Sequence, residues 1–208
     1  TLMKIIFGAY QADDGTILID GRQKQFTSPR DAMQNGIGMV FQEQSLIGNL
    51  SVMENIFLGR EREFKKFGII DFKKMEVAAN FQLAKVGLEI DARIQTFDLS
   101  FAQRQLVELA KVLTLEERTN NNLVILLDEP TSVLSEDEVQ LLFKLVNQLR
   151  ERAAFIFVSH RLDEVISLSD RIYVLKDGEV VDEVTAAAAR PESCLLYTSD
   201  AADDIRCV

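Results

Sequence analysis

The sequence predicts an α/β protein built on a mostly parallel sheet, and three observations carry that prediction. Two short apolar runs, Leu-Val-Ile-Leu-Leu at 123–127 and Phe-Ile-Phe-Val at 155–158, have the length and the branched or aromatic side chains of strands buried on both faces. Between them, residues 136–150 place Val139, Leu142, Leu145, Val146 and Leu149 on one helical face. A strand, a helix and a strand in that order form a right-handed parallel crossover.

Composition supports a globular chain: of 208 residues, 47% are hydrophobic and 27% charged, enough for one domain or one with a small appendage. A net charge of −10 argues against a surface built to neutralise nucleic-acid phosphates. No run of about 18 apolar residues occurs, so no membrane-spanning helix is expected. The first residues lack the pattern of a signal peptide, which leads to the expectation of a cytoplasmic protein. Cys194 and Cys207 have no metal-ligand spacing to a histidine and belong to no larger cysteine framework.

In chain order, residues 1–10 carry Leu2, Ile5 and Ile6 at helical spacing, with Gly8 placed to end the helix. Turn signals at Asp13-Asp14-Gly15 and Asp20-Gly21 flank a short strand at 16–19, which reads as part of a hairpin. Ser28 followed by Pro29 starts a short helix, and residues 36–41 form a buried strand leading to Gln42. Ser51 and Glu54 make a capping box. Residues 60–66 read as a charged, mobile connection. Asp71 caps a longer helix with the apolar stripe Met75, Ala78, Ala79, Leu83 and Val86, ended by Gly87. No strand signal falls between 46 and 99. The expected division is therefore a partial core at 1–45, a helical insert at 46–99, the rest of the core at 100–184 and a tail at 185–208. Ser100 caps a helix with Leu106, Leu109, Ala110 and Leu113 on its apolar face, and residues 171–175 and 179–183 are two strands around Lys176-Asp177-Gly178.

The chemistry concentrates at strand ends. The run at 123–127 stops in Asp128-Glu129-Pro130, and in an open parallel sheet the carboxyl ends of strands are where ligands bind. Taken alone, this could be a solvated acidic turn. The crossover, however, brings His160 out on the same edge, and the Ser100 cap leaves unpaired backbone N–H groups at a helix start, a site suited to an anion. A metal ligand, a water-orienting acid and a polar donor converging on one edge are what phosphoryl transfer requires.

Together, Gln42, residues 99–103, Asp128-Glu129-Pro130 and His160 resemble, in order and spacing, the nucleotide-binding domain of ABC transporters over residues 1 to about 183. The resemblance implies a P-loop NTPase-like fold and an ATPase that uses ATP and Mg²⁺. It assigns Asp128 and Gln42 to the metal, Glu129 to polarising the attacking water, His160 to the γ-phosphate, and Gln42 also to sensing a membrane subunit. Ser100, Phe101, Ala102 and Gln103 occupy the place of the signature motif, which faces ATP held by a second nucleotide-binding domain. That motif usually reads Leu-Ser-Gly-Gly-Gln; Phe101 and Ala102 stand here instead of the glycines, and Phe101 leaves less room for a phosphate to approach the backbone. Ser135 occupies a position where many relatives have Asp.

The family's phosphate loop, Gly-x-x-x-x-Gly-Lys-Ser/Thr, does not occur in the sequence, and residues 1–6 resemble the helix that follows it. The expectation is that the first strand and the loop are missing and that the 208-residue chain is itself inactive. Residues 36–43, 49–60 and 102–105 resemble the ATP-binding subunits of bacterial monosaccharide importers of the ribose, galactose and xylose type, which carry two such domains in tandem; this chain looks like the first. The implied partners are the second domain, transmembrane permease subunits and, indirectly, a periplasmic sugar-binding protein, with no nucleic acid. The implied place is the inner face of the cell membrane. Residues 185–208 resemble translated adapter read-through and are set aside as a scar. The competing function, a soluble ABC-type ATPase acting on DNA or the ribosome, predicts basic surface or long coiled-coil heptads in place of the insert.

Overall fold

Helix starts follow the capping side chains. The computed structural model describes residues 1–41, 45–118, 123–185 and the backbone of 206–207. After a first helix, α1 (Leu2–Ile6), Ser28 accepts a hydrogen bond from the Asp31 N–H at the start of α2 (Pro29–Gln34). Capping boxes Ser51/Glu54, Ser100/Gln103 and Ser135/Glu138 open α3 (Val52–Ile56), α5 (Phe101–Leu113) and α6 (Glu136–Leu149). Asp71 caps α4 (Phe72–Lys85). Such a cap contributes about 1 kcal/mol by satisfying an N–H that has no partner within the helix. The last helix, α7 (Leu162–Leu168), has no side-chain cap hydrogen bond, and no sequence signal announced it.

The strands are β1 (Ile17–Ile19), β2 (Arg22–Lys24), β3 (Ile37–Val40), β4 (Lys65–Lys66), β5 (Ile69–Ile70), β6 (Leu123–Asp128), β7 (Ala153–Val158), β8 (Arg171–Lys176), β9 (Glu179–Thr185) and β10 (Arg206–Cys207). The central sheet is parallel in the order β3-β6-β7, with Ile37 opposite Val124 and Asp128 opposite Val158. Its middle strand explains the continuous apolar run at 123–127, because both faces are covered. Leu126, Ile37 and Met39 pack with Met3, Phe7 and Ala32 on one side, while Ile125, Leu127 and Val40 pack with Leu109, Leu142 and Val146 on the other. The second cluster continues through Val52, Ile56, Met75, Ala79 and Leu83, so the segment read as an insert shares one apolar interior with the core.

Two expectations need correction. The 46–99 segment contains a small antiparallel hairpin, β4 with β5, turning at Phe67 (φ +51°) and Gly68 (φ +84°). Strands of two residues are too short for an alternating pattern to show. The 60–66 connection, expected to be mobile, is tied down: Arg60 holds Glu63 through two nitrogens at 2.9 and 2.7 Å, and Phe64 is buried with its ring 4.6 Å from that of Phe57. As expected, β8 and β9 form an antiparallel pair, and Arg206–Cys207 lie along the other edge of β8 as β10, pairing Arg206 with Leu175.

Candidate functional site

The acidic turn is built by the end of β6. Asp128 is the last residue in the ladder, and the next N–H, from Glu129, donates to the Val158 carbonyl of β7 at 2.9 Å. Glu129 then takes a left-handed backbone conformation (φ +47°), uncommon outside glycine, which turns the chain away from the sheet immediately after the second carboxylate. Pro130 follows and offers its carbonyl to Nε2 of the buried Gln105 on α5.

The β7 end answers it. The His160 Nδ1 lies 3.7 Å from the Glu129 Oε2, with the histidine side chain 60% exposed and the glutamate 17%. The buried Thr131 donates its hydroxyl to the Glu164 Oε2 at 2.5 Å, and Arg161 forms an ion pair with the other oxygen of Glu164. The turn after Glu129 and the start of α7 are therefore tied together. The site is a rigid carboxylate pair with an accessible imidazole beside it.

The third feature is the start of α5. Ser100 Oγ accepts from the Gln103 N–H at 3.2 Å, and the Gln103 side chain returns to accept from the Ser100 N–H at 3.0 Å. This satisfies two backbone donors locally, and Phe101 and Ala102 stand half-buried in the first turn. Farther along α5, Glu108 is buried and its Oε1 accepts from the Ser45 N–H at 2.5 Å. Burial pushes the Glu108 carboxyl pKa up, opposed by its hydrogen bonds from Ser45 and by Lys111. Burial in turn lowers the pKa of Lys111, against the pull of Glu108.

Among the described residues no group of three or more His, Cys, Asp or Glu is placed to hold a metal. The adjacent carboxylates of Asp128 and Glu129 would suit an ion such as Mg²⁺, which takes one or two carboxylates and completes its shell with water and phosphate oxygens.

Comparison with known proteins places this geometry. Residues 1–132 match the family model described as ABC transporter. The chain belongs to the ABC transporter family. It is 44% identical over 193 residues to ribose import ATP-binding protein RbsA 1 of Rubrobacter xylanophilus, covering 92% of this chain and 37% of the relative. It is 47% identical over 185 residues to RbsA of Chromobacterium violaceum, covering 88% of this chain and 36% of that one. A putative ribose/galactose/methyl galactoside import ATP-binding protein of Burkholderia ambifaria is 45% identical over 179 residues, covering 86% of this chain and 33% of its own length. The chain thus spans about a third of these curated relatives. Among solved structures, it is similar to a dimeric, post-hydrolysis ATP-binding cassette, MJ0796, bound to ADP and Pi, with TM-score 0.69 and 26% identity over 89% of this chain and 79% of that one. The expected α/β ABC ATPase fold is the fold observed.

Of the residues singled out in the sequence, this ABC domain brings Asp128, Glu129 and His160 to one edge and leaves Ser100, Phe101, Ala102 and Gln103 at the head of α5. Gln42 lies outside the described residues. Sequence reasoning missed Gln105, Glu108, Thr131 and Glu164. All four are polar residues that are buried, and the first two sit among the apolar positions of an amphipathic helix, where a break in the pattern was the available signal.

Proposed function

We propose that the chain is part of the ATP-binding and ATP-hydrolysing subunit of an importer for a monosaccharide of the ribose class. The observation that carries this reading is the meeting of Glu129 and His160, 3.7 Å apart, beside Asp128 at the carboxyl edge of the parallel sheet. The names of the 40–47% identical relatives support import rather than work on DNA or the ribosome.

In this reading Asp128 would hold Mg²⁺, with Gln42, and the ion would neutralise charge on the phosphate oxygens. Glu129 orients a water toward the γ-phosphorus. His160 donates to the γ-phosphate. Residues 100–103 face the nucleotide of a second ATP-binding domain, so turnover needs that partner. Residues 46–60 receive a helix from the permease at the inner face of the membrane, and a periplasmic sugar-binding protein acts through that permease. No helix among the described residues is long and apolar enough to cross a membrane. Within 46–60, Ile56 and Phe57 are core residues, so the receiving surface centres on the exposed Ile47 and Leu58.

The test uses the full-length protein with a phosphate loop. Glu129→Gln should abolish turnover and leave Mg-ATP binding nearly intact, because it removes an interaction made in the transition state. Asp128→Asn should weaken Mg-dependent binding as well. Equal loss of binding in both variants would reject the division of roles.

A further inference from the structure

The buried Glu108 has no place in the chemistry just described. A carboxylate only 3% exposed on a packed helix is unfavourable unless its oxygens are satisfied, and an apolar residue would serve the packing at least as well. Here the carboxylate accepts from the Ser45 N–H at 2.5 Å, across 63 residues of sequence. Ser45 opens the segment that runs into Leu46, Ile47 and α3. One turn earlier on α5, the buried Gln105 donates to the Pro130 carbonyl, directly after Glu129. Residues three apart share a helix face, so one face of α5 holds two loops at once. The same helix begins at Ser100 and Gln103.

We propose that Glu108, together with Gln105, is a positioning residue that locks the start of the 45–60 segment and the 128–130 turn to α5. A displacement at the head of α5 is then carried to both. No flexible linker intervenes, because each contact is a direct hydrogen bond between a buried side chain of the packed helix and main chain. The functional half of this inference rests on the reading of 46–60 as the permease-facing surface; the lock itself does not.

The test separates lost volume from a lost acceptor. Glu108→Leu fills the space without accepting a hydrogen bond, whereas Glu108→Gln keeps an acceptor. Amide hydrogen exchange on this chain should show Ser45 exchanging about tenfold faster in Glu108→Leu and near the parent rate in Glu108→Gln, with exchange in β6 unchanged. Unchanged Ser45 exchange in Glu108→Leu would overturn the lock. In the full-length protein assembled with its membrane subunits, Glu108→Leu should lower the stimulated kcat about tenfold, leave the KM for ATP within about twofold and spare the unstimulated rate, with Glu108→Gln restoring stimulation. An equal fall in both rates would mean a purely structural role and overturn the coupling. If the parent protein shows no stimulation by membrane subunits, the proposed function fails, while the exchange result still decides the lock.

Discussion

Replacing Gly38 by alanine tests how β3 and α5 fit together. An alanine Cβ at this position would lie 2.2 Å from Val112 Cγ1 and 3.2 Å from both its Cβ and its Cγ2. Carbon atoms settle at about 3.5–4.0 Å, so the helix face must retreat by more than an ångström. Rotating Val112 does not relieve the clash, because a β-branched side chain in a helix has essentially one χ1 rotamer. Overpacking of this kind costs about 1–3 kcal/mol, which for a protein of this size lowers Tm by about 2–12 °C. Val112→Ala alone removes two buried methyl groups and should cost about 1.5 kcal/mol. In the double variant both methyl carbons are gone and only the 3.2 Å approach to the residue-112 Cβ remains, so its loss of stability should fall short of the sum of the single losses by at least about 1 kcal/mol. Thermal unfolding of the four proteins provides the cycle. An unchanged Tm for Gly38→Ala, or strict additivity with Val112→Ala, would refute the close approach of β3 to α5 on which the placement of residues 100–103 depends.

Three further outcomes follow from the same geometry. Burial holds the Glu108 carboxyl above its ordinary value of 4.5, opposed by Ser45 and Lys111, so the folded chain retains that proton longer than the unfolded chain as pH rises. Its contribution to stability therefore falls from pH 4.5 upward, and Glu108→Gln should lose less stability than the parent between pH 4.5 and 7 in urea titrations; parallel curves would reject the shift. Phe67 is 96% exposed and held at φ +51°, so Phe67→Asn, which tolerates that conformation in a two-residue hairpin turn, should raise stability by about 0.5–1 kcal/mol, and a loss would show that the ring makes a stabilising contact. A polypeptide of these 208 residues has no Gly-x-x-x-x-Gly-Lys-Ser/Thr motif, and losing even three charge-assisted bonds of about 1.5–3 kcal/mol each should weaken Mg-ATP binding by several powers of ten. A micromolar constant by isothermal titration would show that other residues take the place of that loop.

Local chemistry made much of this protein legible before any coordinates. Caps are read within three residues, so Ser28, Ser51, Asp71 and Ser100 marked helix starts that the structure reproduces. The apolar run at 123–127 announced a strand covered on both faces because burial on both sides removes alternation, and the crossover rule put Asp128, Glu129 and His160 on one edge. What the sequence could not decide was where isolated polar residues go once helices pack. Gln105 and Glu108 look like flaws in an apolar stripe, and only the approach of Pro130 and Ser45 turns them into hydrogen-bonded joints. Thr131 and Glu164 meet across 33 residues, on a helix with no capping signal. The hairpin at 65–70 was hidden because two-residue strands carry no period, and the burial of Phe64 in a charged stretch shows only through its contact with Phe57. Each of these depends on long-range partners, and a side chain's environment is set by the element that folds against it rather than by its neighbours in the chain.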